Sequence, residues 1–182
     1  LGRNSSSEGA IHIGNTAITL QNSEIKNSRF HGVRVTNDSL PIVFNNTFEN
    51  NGSYDIRVNP NTTTNIRQNE NTDILIVGAS LKSNTVLPFP GSTSRYTLSG
   101  DITVPENIQY RIEPGVLIDF ETSSTDISVD GTLIAEGTEE GLIQFIHTPT
   151  PAHSHGGGIS LNQTSQNSRL RNVNIDRLGS ES

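Results

Sequence analysis

The chain has 182 residues, of which 31% are hydrophobic, and it carries 12 basic against 19 acidic side chains for a net charge of −7. Its only lysines are Lys26 and Lys82, so no basic stripe is available to neutralise phosphates; nucleic-acid binding is disfavoured and anionic membranes repel the surface. No apolar run approaches the ~18 residues of a membrane span, and the absence of Cys removes disulfides and thiolate metal sites.

Ile occurs 19 times, Leu 13, Val 10 and Phe 6. This balance suits pleated strands, and 20 Asn with 16 Gly suit turns. No window is dominated by strong helix formers. The chain starts at Leu1 and has no Met, which reads as a piece of a longer polypeptide.

In chain order, four alternating segments come first: Ala10-Ile11-His12-Ile13, Gly32-Val33-Arg34-Val35, Asp55-Ile56-Arg57-Val58 and Ile74-Leu75-Ile76-Val77. Their last residues fall 22, 23 and 19 positions apart. A second set lies between them, with Ile18-Thr19-Leu20 matching Ile42-Val43-Phe44 at a shift of 24. A third pairs Ile25 with Phe48, 23 apart. Each period of roughly 20 residues therefore holds about three short strands, a repeat length typical of solenoids. One such coil cannot bury its inward side chains alone; stacked at ~4.8 Å it pairs its backbone with the coils on either side. Asn suits the corners because it tolerates a left-handed backbone, and equivalent amides can bond from coil to coil. Residues 45–52 read as corner, strand and corner.

Pro88, Phe89, Pro90 and Gly91 then interrupt the pattern, and 88–95 reads as a linker or crossover. Further short strands follow at Tyr96-Thr97-Leu98, Asp101-Ile102-Thr103-Val104 and Tyr110-Arg111-Ile112. Others are centred on Ile118, Ile127, Ile134, Phe145, Ile159 and Val173, with Pro-Gly, Asp-Gly or Glu-Gly at several turns.

Residues 101–146 resemble the opening of the β-helix modules found in large secreted and cell-surface proteins. The matching positions are Val104-Pro105, Glu113-Pro114-Gly115, the stretch 131–138 and the strand 143–145. The Asn-rich half resembles later coils of the same modules. The family's Trp-x-Gly-Ile strand is represented by Gly157-Gly158-Ile159, without the Trp. The resemblance implies an all-β, right-handed parallel β-helix with short strands and Asn/Gly-rich turns. It divides the chain into the last coils of one module (1–87), a linker or crossover (88–95) and the first coils of a second (96–182); a single continuous solenoid is the other option. It further implies an extracellular or cell-surface spacer or adhesive face, with neighbouring modules of the same chain and a glycan or surface protein as partners. The alternative is a carbohydrate-active β-helix enzyme, a polysaccharide lyase or glycoside hydrolase.

Four acids flank two strands of the second half: Asp119, Glu121, Asp126 and Asp130. No cofactor is expected; carboxylates on neighbouring coils offer oxygen ligands that suit Ca²⁺ as the lesser alternative, or a sugar-cleaving acid pair. The plainer reading is a solvated face, because Asp119 and Glu121 alternate with inward Ile118 and Phe120. Arg34 and Arg57 hold equivalent places in successive repeats and would form a basic column facing an acidic glycan, or two ordinary exposed positions. His153 and His155 are spaced for Zn²⁺ or Cu²⁺, yet no Cys accompanies them and a flexible loop accounts for them better. His12 and His31 read as outward or turn positions. A flat threonine face is excluded, since Thr62-Thr63-Thr64 is a turn cluster with no constant register. Glycosylation motifs stand at Asn4, Asn37, Asn45, Asn51, Asn61 and Asn162, of use if the source is a eukaryote.

Overall fold

A computed structural model describes residues 9–179. The chain winds, and every named strand pair is parallel. The first coil holds β1 (Gly9–Gly14), β2 (Thr19–Gln21) and β3 (Glu24–Lys26); the second holds β4 (His31–Thr36), β5 (Ile42–Phe44) and β6 (Thr47–Glu49). The third has β7 (Ile56–Val58), a 3₁₀ turn at Pro60–Thr62 and β8 (Ile66–Arg67). The fourth holds β9 (Asp73–Ile76), β10 (Ala79–Ser80) and β11 (Thr85–Leu87), and the fifth β12 (Arg95–Leu98), β13 (Ile102–Val104) and β14 (Gln109–Ile112). The sixth holds β15 (Leu117–Phe120), β16 (Ile127–Val129) and β17 (Thr132–Glu136), and the seventh β18 (Ile143–Ile146), β19 (Ile159–Leu161) and β20 (Arg169–Arg171). β21 (Val173–Asp176) begins the next. The first strand of every coil joins one eight-stranded sheet, β1-β4-β7-β9-β12-β15-β18-β21.

Asparagine ends the strands of the early coils. Asn22, Asn27, Asn45 and Asn50 each follow a three-residue strand directly, and all have φ between 51° and 56°. That left-handed turn is costly for most residues and tolerated by Asn. A second, inner row of amides ties the coils together. Asn69 Nδ2 donates to Val43 O at 3.0 Å, Asn46 N and Nδ2 both donate to Asn69 Oδ1 at 3.1 Å, and Ser23 N donates to Asn46 Oδ1 at 3.1 Å.

Inward side chains stack in columns. One runs Val33, Ile56, Ile74, Tyr96, Ile118 and Phe145, all within 1% of complete burial. Each adds on the order of 1.5–3 kcal/mol of apolar burial. Two registers differ from the sequence spacing. Val58 pairs with Ile76, not Val77. Ile42 pairs with Thr19 and Val43 with Leu20, a shift of 23 and not 24. In both places apolar residues also occupy outward positions, and these blur the alternation: Ile42 is 46% exposed while Val43 is buried.

The segment 88–95 forms a corner of the winding. Asn69 N donates to Pro90 O at 2.7 Å, and Tyr96 OH donates to Pro88 O at 2.9 Å. β9 and β12 pair across it, so the stretches on either side share one sheet and one core. Nearby, Arg67 donates to both carboxylate oxygens of Glu113 at 2.9 and 2.8 Å, and Phe89 N donates to the same carboxylate at 3.0 Å. These bonds link the third, fourth and fifth coils. Burial alone would raise the Glu113 pKa, but the Arg67 hydrogen bonds, the Phe89 N–H and the charges of Arg67 and Arg111 together hold it below the ordinary carboxylate range.

The Asp-Gly turn at Gly131 has a steric cause. A Cβ there would collide with the carbonyl oxygens of Pro105 and Ile108 on the previous coil. Tyr110 presents a different case. Its ring is fully buried, its hydroxyl has no hydrogen-bond partner among the described residues, and burial drives its pKa far above the ordinary value. Tyr110→Phe removes a desolvated group without opening a cavity, so chemical denaturation is expected to show stability unchanged or raised by up to about 1–2 kcal/mol.

Candidate functional site

The outward face of the long sheet brings together His12, Arg34, Arg57 and Asp119 of the polar side chains singled out above. Strand pairing places outward residues in a column along it. His12, Arg34 and Arg57 come first, then Leu75 and Thr97, then Asp119, Ile146 and Asp176. The column is basic at one end and acidic at the other. Arg34 lies directly opposite Arg57, as their equivalent places in the repeat require.

Arg34 and Arg57 form no ion pair among the described residues, and Arg34 Nε is buried without a partner. Burial lowers the Arg57 pKa, and the neighbouring Arg34 charge lowers it further. His31 lies beside them and is only 4% exposed, so it is covered and not open to solvent. The Tyr54 ring covers it, with centroids 6.3 Å apart and planes inclined by 27°. Burial depresses the His31 pKa; a Tyr54 backbone hydrogen bond opposes this, and the Arg57 and Arg34 charges add to it. His31 Nδ1 has no hydrogen-bond partner among the described residues.

Tyr54 also walls a groove of about 210 Å³ on the same face, together with Arg95, Thr97, Asp119, Glu121, Thr148 and Thr150. Burial raises the Tyr54 pKa, helped by Glu121 and Asp73 and opposed by Thr97 and Arg95. Arg95 is neutralised here, with Nε 3.0 Å from Asp73 and Nη1 3.8 Å from Asp119.

Asp119 is not on a solvated face. It is 6% exposed and accepts from Thr148 N at 2.9 Å and from Thr148 Oγ1 at 2.6 Å. With His147 it pins the loop 147–156 to the sheet: His147 Nδ1 faces Phe120 O at 2.6 Å and Nε2 faces His153 O at 3.1 Å. The loop is therefore anchored at its base, and it forms the groove wall. Asp119→Ala is expected to lower stability by about 1–2 kcal/mol and to speed amide exchange at Thr148, read by native-state hydrogen exchange.

The four acids do not meet. Asp119 belongs to β15, Glu121 follows it, and Asp126 and Asp130 flank β16 in a different sheet. Asp126 Oδ1 accepts from Gly158 N at 2.6 Å, and Asp130 Oδ1 accepts from Asn162 Nδ2 at 2.7 Å. Each of these two ties its own coil to the next. Among the described residues no cluster of three or more His, Asp or Glu is placed to hold a metal ion. His153 and His155 line a separate cleft of about 260 Å³ formed by the loop itself with Ser123.

The glycosylation motifs are unequal. Asn37 is exposed. Asn51 Nδ2 donates to Ile25 O and Asp55 Oδ1, Asn61 Nδ2 to Ser80 O, Asn45 Nδ2 to Asn22 Oδ1 and Asn162 Nδ2 to Asp130. A glycan at any of these four would break bonds between or within coils. Asn4 lies outside the described residues.

Sequence reasoning found Arg34 and Arg57 through the repeat, but not Tyr54, Thr97, Thr148 or Thr150. No local motif marks these, because winding alone brings residues 54, 97, 119 and 148 to one groove.

A family model described as "Right handed beta helix region" matches residues 3–175, nearly the whole chain. No curated protein and no solved structure matches it.

Proposed function

The chain belongs to the right-handed β-helix family, and from that premise we propose that it is a non-catalytic extracellular scaffold that binds its ligand on the outward face of the long sheet. The observation that carries this reading is the outward column of β4 and β7, where Arg34 and Arg57 stand in register with no ion pair among the described residues, on the same sheet as Thr97 and Asp119 of the groove walled by Tyr54. A rigid stack presents such rows at a fixed ~4.8 Å spacing, so a partner with repeating groups can engage several at once. Asp119, Asp126 and Asp130 each hold a bond between coils, and Asp126 and Asp130 lie outside the groove that Asp119 shares with Glu121, so the enzyme alternative keeps only that one pair of carboxylates. Among the described residues β1 and β21 each pair on one side only. Neighbouring coils of a longer chain are the proposed partners at those edges, and a glycan or a surface protein is the proposed partner on the face.

A glycan-array screen combined with a reducing-end release assay tests the reading. Binding that is lost when Thr97 and Tyr54 are replaced, with no new reducing ends formed, is the expected result. Release of reducing ends at catalytic rates, abolished by changing one of the four acids, would overturn it.

A further inference from the structure

We propose that Arg34 and Arg57 together bind one oxyanion, a carboxylate or sulfate ester, carried by an otherwise neutral oligosaccharide that lies along the long sheet. The inference rests on the binding-face reading above and gives that face a ligand class.

Six of the chain's 19 acids sit in ion pairs among the described residues, each with a cation other than Arg34 or Arg57. Arg67 takes Glu113, Arg95 takes Asp73 and Asp119, Arg169 takes Glu136, Lys26 takes Glu24 and Lys82 takes Asp38. Of the cations without an ion pair among the described residues, Arg34 and Arg57 stand directly opposite each other, ~4.8 Å apart along the stack. Like charges in register repel. Here they are also partly withdrawn from water: Arg34 Nε is buried without a partner, and so is Nδ1 of the adjoining His31. A protein that leaves the buried Arg34 N–H uncompensated is less stable for it, unless a ligand supplies the acceptor. Guanidinium forks suit an oxyanion, because each offers paired N–H groups in the plane a carboxylate or sulfate can accept.

The rest of the face restricts what carries that anion. Past Leu75 the column reaches Thr97 and then Asp119, and the groove adds Glu121, Thr148 and Thr150. A continuous polyanion would meet Glu121, which has no ion pair among the described residues, and be repelled. Hydroxyls and the edge of the Tyr54 ring suit neutral sugar units. The fitting ligand therefore bears its acid at one end, over the arginine pair, and neutral sugars over the groove.

Calorimetric titration of the whole chain tests this with three probes: cellobiose, its uronic-acid derivative and its sulfate ester, with inorganic sulfate as the free anion. Binding of the uronic acid or the ester at least tenfold tighter than cellobiose, and at least tenfold weaker binding by Arg34→Gln and Arg57→Gln, is the expected result. Both variants relieve a like-charge contact, so thermal melts of the free proteins should be no lower than that of the parent. Equal binding of the uronic acid, the ester and cellobiose, unchanged by either variant but weakened by Thr97→Val, would overturn the arginine site and leave the binding face standing. Sugar binding insensitive to every long-sheet variant, or no binding at all, would overturn both. Inorganic sulfate that binds as tightly as the ester and displaces it would remove the glycan from the proposal. Preference for the uronic acid over the ester, or the reverse, identifies which oxyanion the pair takes.

Discussion

Asn69→Ala is expected to destabilise the protein by about 3–4 kcal/mol, more than most polar substitutions do. Asn69 is fully buried and sits at the centre of the inner amide row. Its Oδ1 accepts from both the backbone and the side-chain nitrogen of Asn46, and its Nδ2 donates to Val43 O and Arg67 O. Alanine removes all four bonds and takes from Asn46 N and Val43 O the partners that Asn69 supplied, each costing about 1–3 kcal/mol less whatever the coils recover by relaxing. The effect should reach beyond the site, because Asn46 in turn receives Ser23 N. Denaturant titration gives the loss directly, and hydrogen exchange should rise at Ser23 and Asn46 together. A loss below about 1 kcal/mol would mean that the amide row contributes little.

Phe145→Ala should cost as much through a different mechanism, about 3–5 kcal/mol. Phe145 is completely buried, lies opposite Ile118 on one side and Ile175 on the other, and fills the column at the seventh coil. Its removal forfeits apolar burial and leaves a space that the strands cannot close, since each is fixed by bonds to the coil before it and the coil after. Phe145→Leu keeps most of the volume and should cost less than half as much. Equal losses for the two variants, measured by the same titration, would place Phe145 outside the packed column.

Much of the winding is legible in the sequence, for a physical reason. Burial repeats once per coil, so Ile13, Val35 and Val58 announce one column at intervals of 22 and 23. The left-handed corners announce themselves through Asn, and residues 45–52 form the corner, strand and corner expected of them. The pattern slips where outward positions are also apolar. Leu75 and Val77 flank Ile76 and hide which of them points in; Ile42 and Phe44 do the same around Val43. The proposed binding face is half legible. Arg34 and Arg57 follow from the repeat, but the burial of Asp119 depends on Thr148, 29 residues later, and that of His31 on Tyr54. Those contacts come from loops whose lengths vary from coil to coil, and no period predicts them.

The register that sets Arg34 against Arg57 also sets Thr103 against Ser128 and Ser128 against Ser160, one coil apart in each case. Because the chain has no cysteine, paired substitutions report that register without interference. Thr103→Cys combined with Ser128→Cys brings the two α-carbons to about 4.8 Å, within the ~4.4–6.8 Å that a disulfide spans. Thr103→Cys combined with Ser160→Cys leaves two coil spacings, roughly 9.6 Å, which it does not span. Mild oxidation followed by peptide mapping should therefore show an internal cross-link in the first variant and free thiols in the second. A cross-link in the second variant and none in the first would contradict the one-coil winding on which the core columns, the amide row and the binding face all depend.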